Sequence, residues 1–121
     1  MDKKRWKTKI KAATKKVGTY QASFEAVIDT LADILEKRDT AQEQFEREGS
    51  SIVVEHTNQG GNTNVTKNPV LVMICDLNRD ALSYWRDLGL TPAGLKKLND
   101  AAMKTEKKVS ALEEALKKIG G

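Results

Sequence analysis

The chain has 121 residues, enough for one domain with a modest core. It is 39% hydrophobic and 31% charged, with aromatics at only 5%, which fits a helical protein and argues against a large core. The net charge of +4 conceals an asymmetry: residues 1–19 carry +7 and the other 102 residues carry −3. No apolar run is long enough to span a membrane, and the basic N-terminus lacks the apolar stretch of a secretory signal. A single cysteine, Cys75, rules out an internal disulfide, so the expected setting is a reducing cytoplasm with no membrane contact.

Lys3 to Val17 reads as a basic helix or arm. Its thin apolar stripe is Trp6, Ile10, Ala13 and Val17, and Gly18 ends it. A second, acidic helix runs from about Tyr20 or Ser23 to Glu48, with Phe24, Ile28, Leu31, Leu35 and Phe45 along one face. Ser51 to Val65 breaks the helical period. β-Branched Ile52-Val53-Val54 and Val65-Thr66 flank an Asn/Gly-rich stretch, which reads as a small hairpin around Gly60-Gly61 or as a flexible loop.

Asn68-Pro69 opens the next helix. Asn is a preferred N-cap, and Pro at the first helical position gives up an N–H that no helix uses. Leu71, Ile74, Leu77, Ala81, Leu82, Trp85 and Leu88 then recur at helical spacing. Gly89 supplies a left-handed stop, and Thr91-Pro92 restarts the chain as N-cap and first helical residue. Leu90 between them is placed to touch both helices, back onto Trp85 and forward onto Leu95. The last helix, Pro92 to Ile119, is about 42 Å long at 1.5 Å per residue. Leu95, Leu98, Ala102, Thr105, Val109, Leu112, Leu116 and Ile119 follow alternate steps of 3 and 4, an unbroken heptad seam that asks for a partner helix.

The expected fold is therefore all-α, with a small β-hairpin insertion at about 51–66 and a long C-terminal helix. It divides into a basic segment, 1–19, and a helical oligomerisation domain, 20–121, whose seam residues are Leu95, Leu98, Ala102, Val109, Leu112, Leu116 and Ile119.

Catalytic chemistry finds no foothold. His56 is the only histidine and has no nucleophile beside it; Cys75, among Val72, Met73 and Ile74, reads as a buried small apolar residue. One Cys and one His make no zinc cluster, and Asp29, Asp33 and Glu36 read as a solvated acidic face, so no metal, cofactor or enzyme activity is expected. Gly60-Gly61 lacks the Gly-Lys-Ser/Thr ending of a phosphate loop. The cationic segment is the exception. Lys3, Lys4, Arg5, Lys7, Lys9, Lys11, Lys15 and Lys16 suit DNA phosphates, and a single Arg favours backbone contact over base readout. The competing reading lays this segment on the acidic helix of its own or a neighbouring subunit, as a tether or a gate. The rival DNA site is the last helix, where Lys96, Lys97, Lys104, Lys107, Lys108, Lys117 and Lys118 are interrupted by Asp100, Glu106, Glu113 and Glu114.

Lys67-Asn68-Pro69, followed about twenty residues on by Leu88-Gly89-Leu90-Thr91-Pro92, resembles a family of phage terminase small subunits, and the likeness covers roughly residues 20 to 100. Val70 and Ala93-Gly94 stand where the family pattern has Ala and a pair of Ser residues. The resemblance implies a DNA-packaging protein that binds double-stranded viral DNA as a homo-oligomeric ring. It also implies a partner, the large terminase subunit with its ATPase and nuclease, and a place in the host cytoplasm. A coiled-coil adaptor without specific DNA binding is the alternative. A small DNA-binding regulator is a third, although the first helices form no convincing helix-turn-helix.

Overall fold

Helix α1 (Lys3–Val17) and helix α2 (Glu25–Arg47) lie antiparallel, and a third helix, α3 (Pro69–Asp87), packs against α2 and shares its core with α1. The computed structural model describes residues 1–120; Gly121, the last residue of the expected second domain, lies outside it. A single 3-10 turn, Ala22–Phe24, leads into α2. Ile28, Leu31, Ala32 and Leu35 of α2 are fully buried and meet Ile10 of α1 together with Ala81 and Leu88 of the α3 end. The basic segment is thus part of one core shared by α1, α2 and α3, which together form the head of the subunit.

Asp2 caps α1 by accepting from the Arg5 N–H at 2.8 Å. The apolar stripe differs from expectation at its end. Val17 is 40% exposed and Thr14 takes the buried place, its hydroxyl satisfied by donating to the Lys11 carbonyl at 2.9 Å.

The break after α2 is a hairpin. β1 (Val53–Thr57) pairs antiparallel with β2 (Thr63–Lys67), with Glu55 opposite Val65 and Thr57 opposite Thr63. Asn58 organises the turn, its side chain accepting from the Asn62 N–H at 3.0 Å. Of the strand residues only Val54 is half-buried, so the hairpin stands on its base. That base is Asn68, 4% exposed. Its Oδ1 accepts from the Val70 N–H and caps α3, while its backbone N–H and Nδ2 donate to the Ile52 and Ser51 carbonyls.

The corner between α3 and the last helix, α4 (Pro92–Gly120), forms as the sequence predicts. Gly89 has φ 73°; its N–H donates to the Arg86 carbonyl, and the Leu90 N–H donates to Trp85 at 2.8 Å. This is the paired 5→2 and 6→1 arrangement of a left-handed helix end. Thr91 Oγ1 accepts from the Gly94 N–H at 3.1 Å and caps α4.

Two further contacts close the joint. Thr19, just past α1, donates its hydroxyl to the Leu88 carbonyl at 2.7 Å, and a Cβ on Gly89 would meet the Thr19 methyl at 2.8 Å. A Cβ on Gly94 would lie only 2.1 Å from the Arg86 carbonyl oxygen, so the helices cross at backbone distance. A serine at Gly94 does not fit this crossing.

Beyond the corner α4 leaves the body. Leu95 and Leu98 are half-buried, Leu98 lying against Gly89, and every described residue from Asn99 to Ile119 is exposed.

Candidate nucleic-acid interface

Helix geometry divides the cations of α1 between two faces. Lys3, Lys7 and Lys11 recur every fourth residue and flank the buried stripe, so they look across at α2. There Glu25 and Asp29, also four apart, face them. Lys3 Nζ lies 3.1 Å from Asp29, Lys7 3.5 Å from Asp29 and 4.0 Å from Glu25, and Lys11 3.0 Å from Glu25. The ladder runs backward along α2 as it runs forward along α1, as antiparallel helices require.

Hydrogen bonds from the Tyr20 hydroxyl and then Lys11 hold the Glu25 carboxyl below the usual carboxylate range. Lys3, followed by Lys7, does the same for Asp29. The far end is pinned at Asp39, which accepts from the Trp6 indole N–H at 2.7 Å, from Arg38 at 3.0 Å and from the Met1 ammonium at 3.1 Å. Burial pushes the Asp39 carboxyl up, but these donors, Trp6 first, outweigh it and the net shift is downward. Glu36 accepts from the Lys3 backbone N–H at 2.6 Å.

The acidic face of α2, expected to be merely solvated, is thus the seat of α1. Asp29 and Glu36 hold α1, and Asp33 pairs with Lys37 on its own helix at 2.8 Å. Asp29 and Asp33 are thus matched to lysine ammonium groups and Glu36 to a backbone N–H.

The opposite face of α1 is open. Lys4, Arg5, Lys9, Lys15 and Lys16 are exposed, and among the described residues none is in an ion pair. Lys9 lies 5.2 Å over the Trp6 ring and Lys15 4.9 Å over the Tyr20 ring, contacts that hold both chains without neutralising them. Lys4, Arg5 and Lys9 border a shallow surface with Thr8 and Ala12, whose short side chains let a ligand approach the helix.

Of the eight cations expected to meet phosphates, five are therefore presented and three are occupied within the subunit. The division was open to reading in the sequence. The Lys3-Lys7-Lys11 ladder and the Glu25-Asp29 ladder have the same four-residue step and opposite sign.

Outside α1, Cys75 departs from expectation. It is exposed, because the inward face of α3 is set by Ile74 and Ala81, and a residue one step along the helix from Ile74 turns outward. His56 is exposed on β1 opposite Asn64, as expected. The lysines of α4 that follow Asn99 are exposed, and among the described residues no acidic element is apposed to that part of the helix.

Comparison with known families places the whole arrangement. Residues 3–118 match the family model described as phage terminase, small subunit, and the chain belongs to that family. Membership gives it a role in phage DNA packaging and extends the resemblance seen at residues 20 to 100 through both basic helices. Neither the curated proteins nor the solved structures yield a match. Among the described residues no helix is long and apolar enough to cross a membrane.

Proposed function

We propose that this chain is the non-catalytic, DNA-recognising subunit of a phage packaging motor. It binds double-stranded DNA through the outer face of α1 as a homo-oligomeric ring and presents it to the large terminase subunit. The observation that carries this reading is the sorting of charge on one helix. Three lysines dock α1 on α2, and Lys4, Arg5, Lys9, Lys15 and Lys16 are left facing outward on a rigid support. Lysines of this kind displace condensed counterions from DNA whatever its sequence, so register along the duplex and avidity among subunits set affinity.

Salt titration of duplex binding tests it. Five outward cations cap the slope of log K against log[salt] near about −4.5 per subunit, shallower than the roughly −7 that all eight would allow. Converting the outward five to Gln should weaken binding to all duplexes alike and flatten the slope. Converting Lys3, Lys7 and Lys11 should loosen α1 while leaving slope and affinity nearly as they were. An outward-five variant with unchanged affinity and slope moves the DNA site to α4. A chain that binds no duplex at moderate salt is the coiled-coil adaptor instead, the reading favoured by the unpaired length of α4.

A further inference from the structure

The part of α4 beyond the corner is a helix without a neighbour. From Ala102 to Ile119 it extends about 27 Å. Its apolar seam stands in solvent, with Val109 49%, Leu112 62%, Leu116 59% and Ile119 84% exposed. An isolated helix of this length is marginal in water, so its stability has to come from packing along the seam. Leu95 and Leu98 are turned to the subunit's own corner, which leaves Ala102, Thr105, Val109, Leu112, Leu116 and Ile119 for something else.

We propose that the occupant is the same segment of a second copy, packed parallel and in register. The inference rests on the reading of the chain as a homo-oligomer. The orientation follows from the charges beside the seam. With Ala102, Val109 and Leu116 at the first seam position (a) and Thr105, Leu112 and Ile119 at the second (d), one flank carries Ala101, Lys108 and Ala115. The other flank carries Glu106 and Glu113. In a parallel pair each flank meets the opposite flank of its neighbour five residues further on. Lys108 then faces Glu113 of the next copy, an attraction made at each interface. In an antiparallel pair like flanks meet: with Thr105 opposite Leu116, Lys108 is set against Lys108 and Glu113 against Glu113. The remaining lysines, at 104, 107, 117 and 118, lie off both flanks and are indifferent to the choice. Parallel packing places every corner, and so every α1–α2–α3 head, at one end of the assembly.

Disulfide mapping in a Cys75→Ser background separates the arrangements. Thr105→Cys and Leu116→Cys lie about 16 Å apart along the helix, well beyond the reach of a disulfide at about 7 Å between Cα atoms. In a parallel, in-register assembly each variant cross-links to itself under mild oxidation, and a mixture yields no mixed product. Cross-links that join the Thr105→Cys variant to the Leu116→Cys variant, without self-cross-links of either, would overturn the proposal. So would an assembled protein that cross-links at neither site.

Charge exchange gives a second reading. Lys108→Glu or Glu113→Lys alone should raise the concentration for half-assembly by at least about twofold, and the double exchange should restore it. Failure of the double exchange to restore assembly also overturns the parallel pairing. Light scattering of the unmodified chain keeps the two ideas apart. A monomer at all concentrations removes the homo-oligomer itself, whereas an assembly with mixed cross-links removes only its polarity.

Discussion

Helices α1 and α4 are written in the same style and meet different fates. Each is lysine-rich, each carries a narrow apolar stripe at steps of three and four, and each borders the α2–α3 pair. Helix α1 is docked: Ile10 and Thr14 are fully buried and Trp6 meets Trp85 edge to face at 6.5 Å between ring centres. Helix α4 touches α3 only near its start and then stands alone. The difference lies outside both stripes. Helix α1 finds on α2 an antiparallel acidic ladder with its own four-residue step, whereas the flanks of α4 find no complementary surface within the subunit. A stripe says that a helix will be buried, and its charged borders say against what.

Truncating one seam in each place should separate these fates most sharply. Leu31→Ala, inside the α1–α2–α3 core, should cost about 2–5 kcal/mol in a denaturant melt. Leu112→Ala should leave subunit unfolding within about 0.5 kcal/mol when measured below the assembly concentration, as exposed positions do. A large loss from Leu112→Ala under dilution would mean that α4 folds back on its own subunit.

The corner comes next in size. Gly89→Val should lower stability by about 1–3 kcal/mol, since a β-branched residue resists the positive φ and its Cβ would press on Thr19 and Leu98. Gly94→Ser should cost a similar amount, about 1–3 kcal/mol, because the added atoms meet a backbone carbonyl that cannot turn aside. Both are read from the thermal midpoint, and an unchanged midpoint in either variant would remove the close crossing.

Much of this fold was legible in the residues. Asn68-Pro69, Gly89 and Thr91-Pro92 announce helix ends through local chemistry, which needs no knowledge of neighbours, and each cap formed. The hairpin was visible as a change of period, but its anchoring by Asn68 was not, because one Asn side chain serves two elements there. Burial was harder to foresee. Thr14 displaced Val17 from the core and Cys75 turned outward because each depends on where the neighbouring helix lies. In the candidate site all eight cations were visible, and the matching four-residue steps of Lys3-Lys7-Lys11 and Glu25-Asp29 mark the three spent on α2 once the two helices are set antiparallel.

Leu112→Lys bears on α4 alone. A charge placed in a desolvated seam is expensive, so the variant should lower the mass of the assembly by light scattering while the circular dichroism of the head is retained. An assembly of unchanged mass would show that subunits associate elsewhere.

Acid should act on α1 first, and gently. The Glu25, Asp29 and Asp39 carboxyls titrate lower folded than unfolded, so they favour the folded state above the ordinary carboxylate range. Their contribution is lost as the pH falls below about 4 and through the lowered folded values. Tryptophan fluorescence, which reports Trp6 against Trp85, should change on acidification before the far-ultraviolet dichroism does. Simultaneous changes would mean that the ladder is not a separable part of α1 docking.

The hydroxyl of Thr19 has a mechanical meaning. It ties the exit of α1 to the carbonyl on which α3 ends, four residues before α4 begins at Pro92. The helix beyond is about 43 Å long, so a tilt of about 10° at that joint carries its tip about 7 Å sideways. A single bond of 2.7 Å therefore sits at the fulcrum of a long lever. Gly94, against the Arg86 backbone, and Gly89, against the Thr19 and Leu98 side chains, close the same joint. Precision in this subunit is concentrated where it is shortest, and the long arm inherits it.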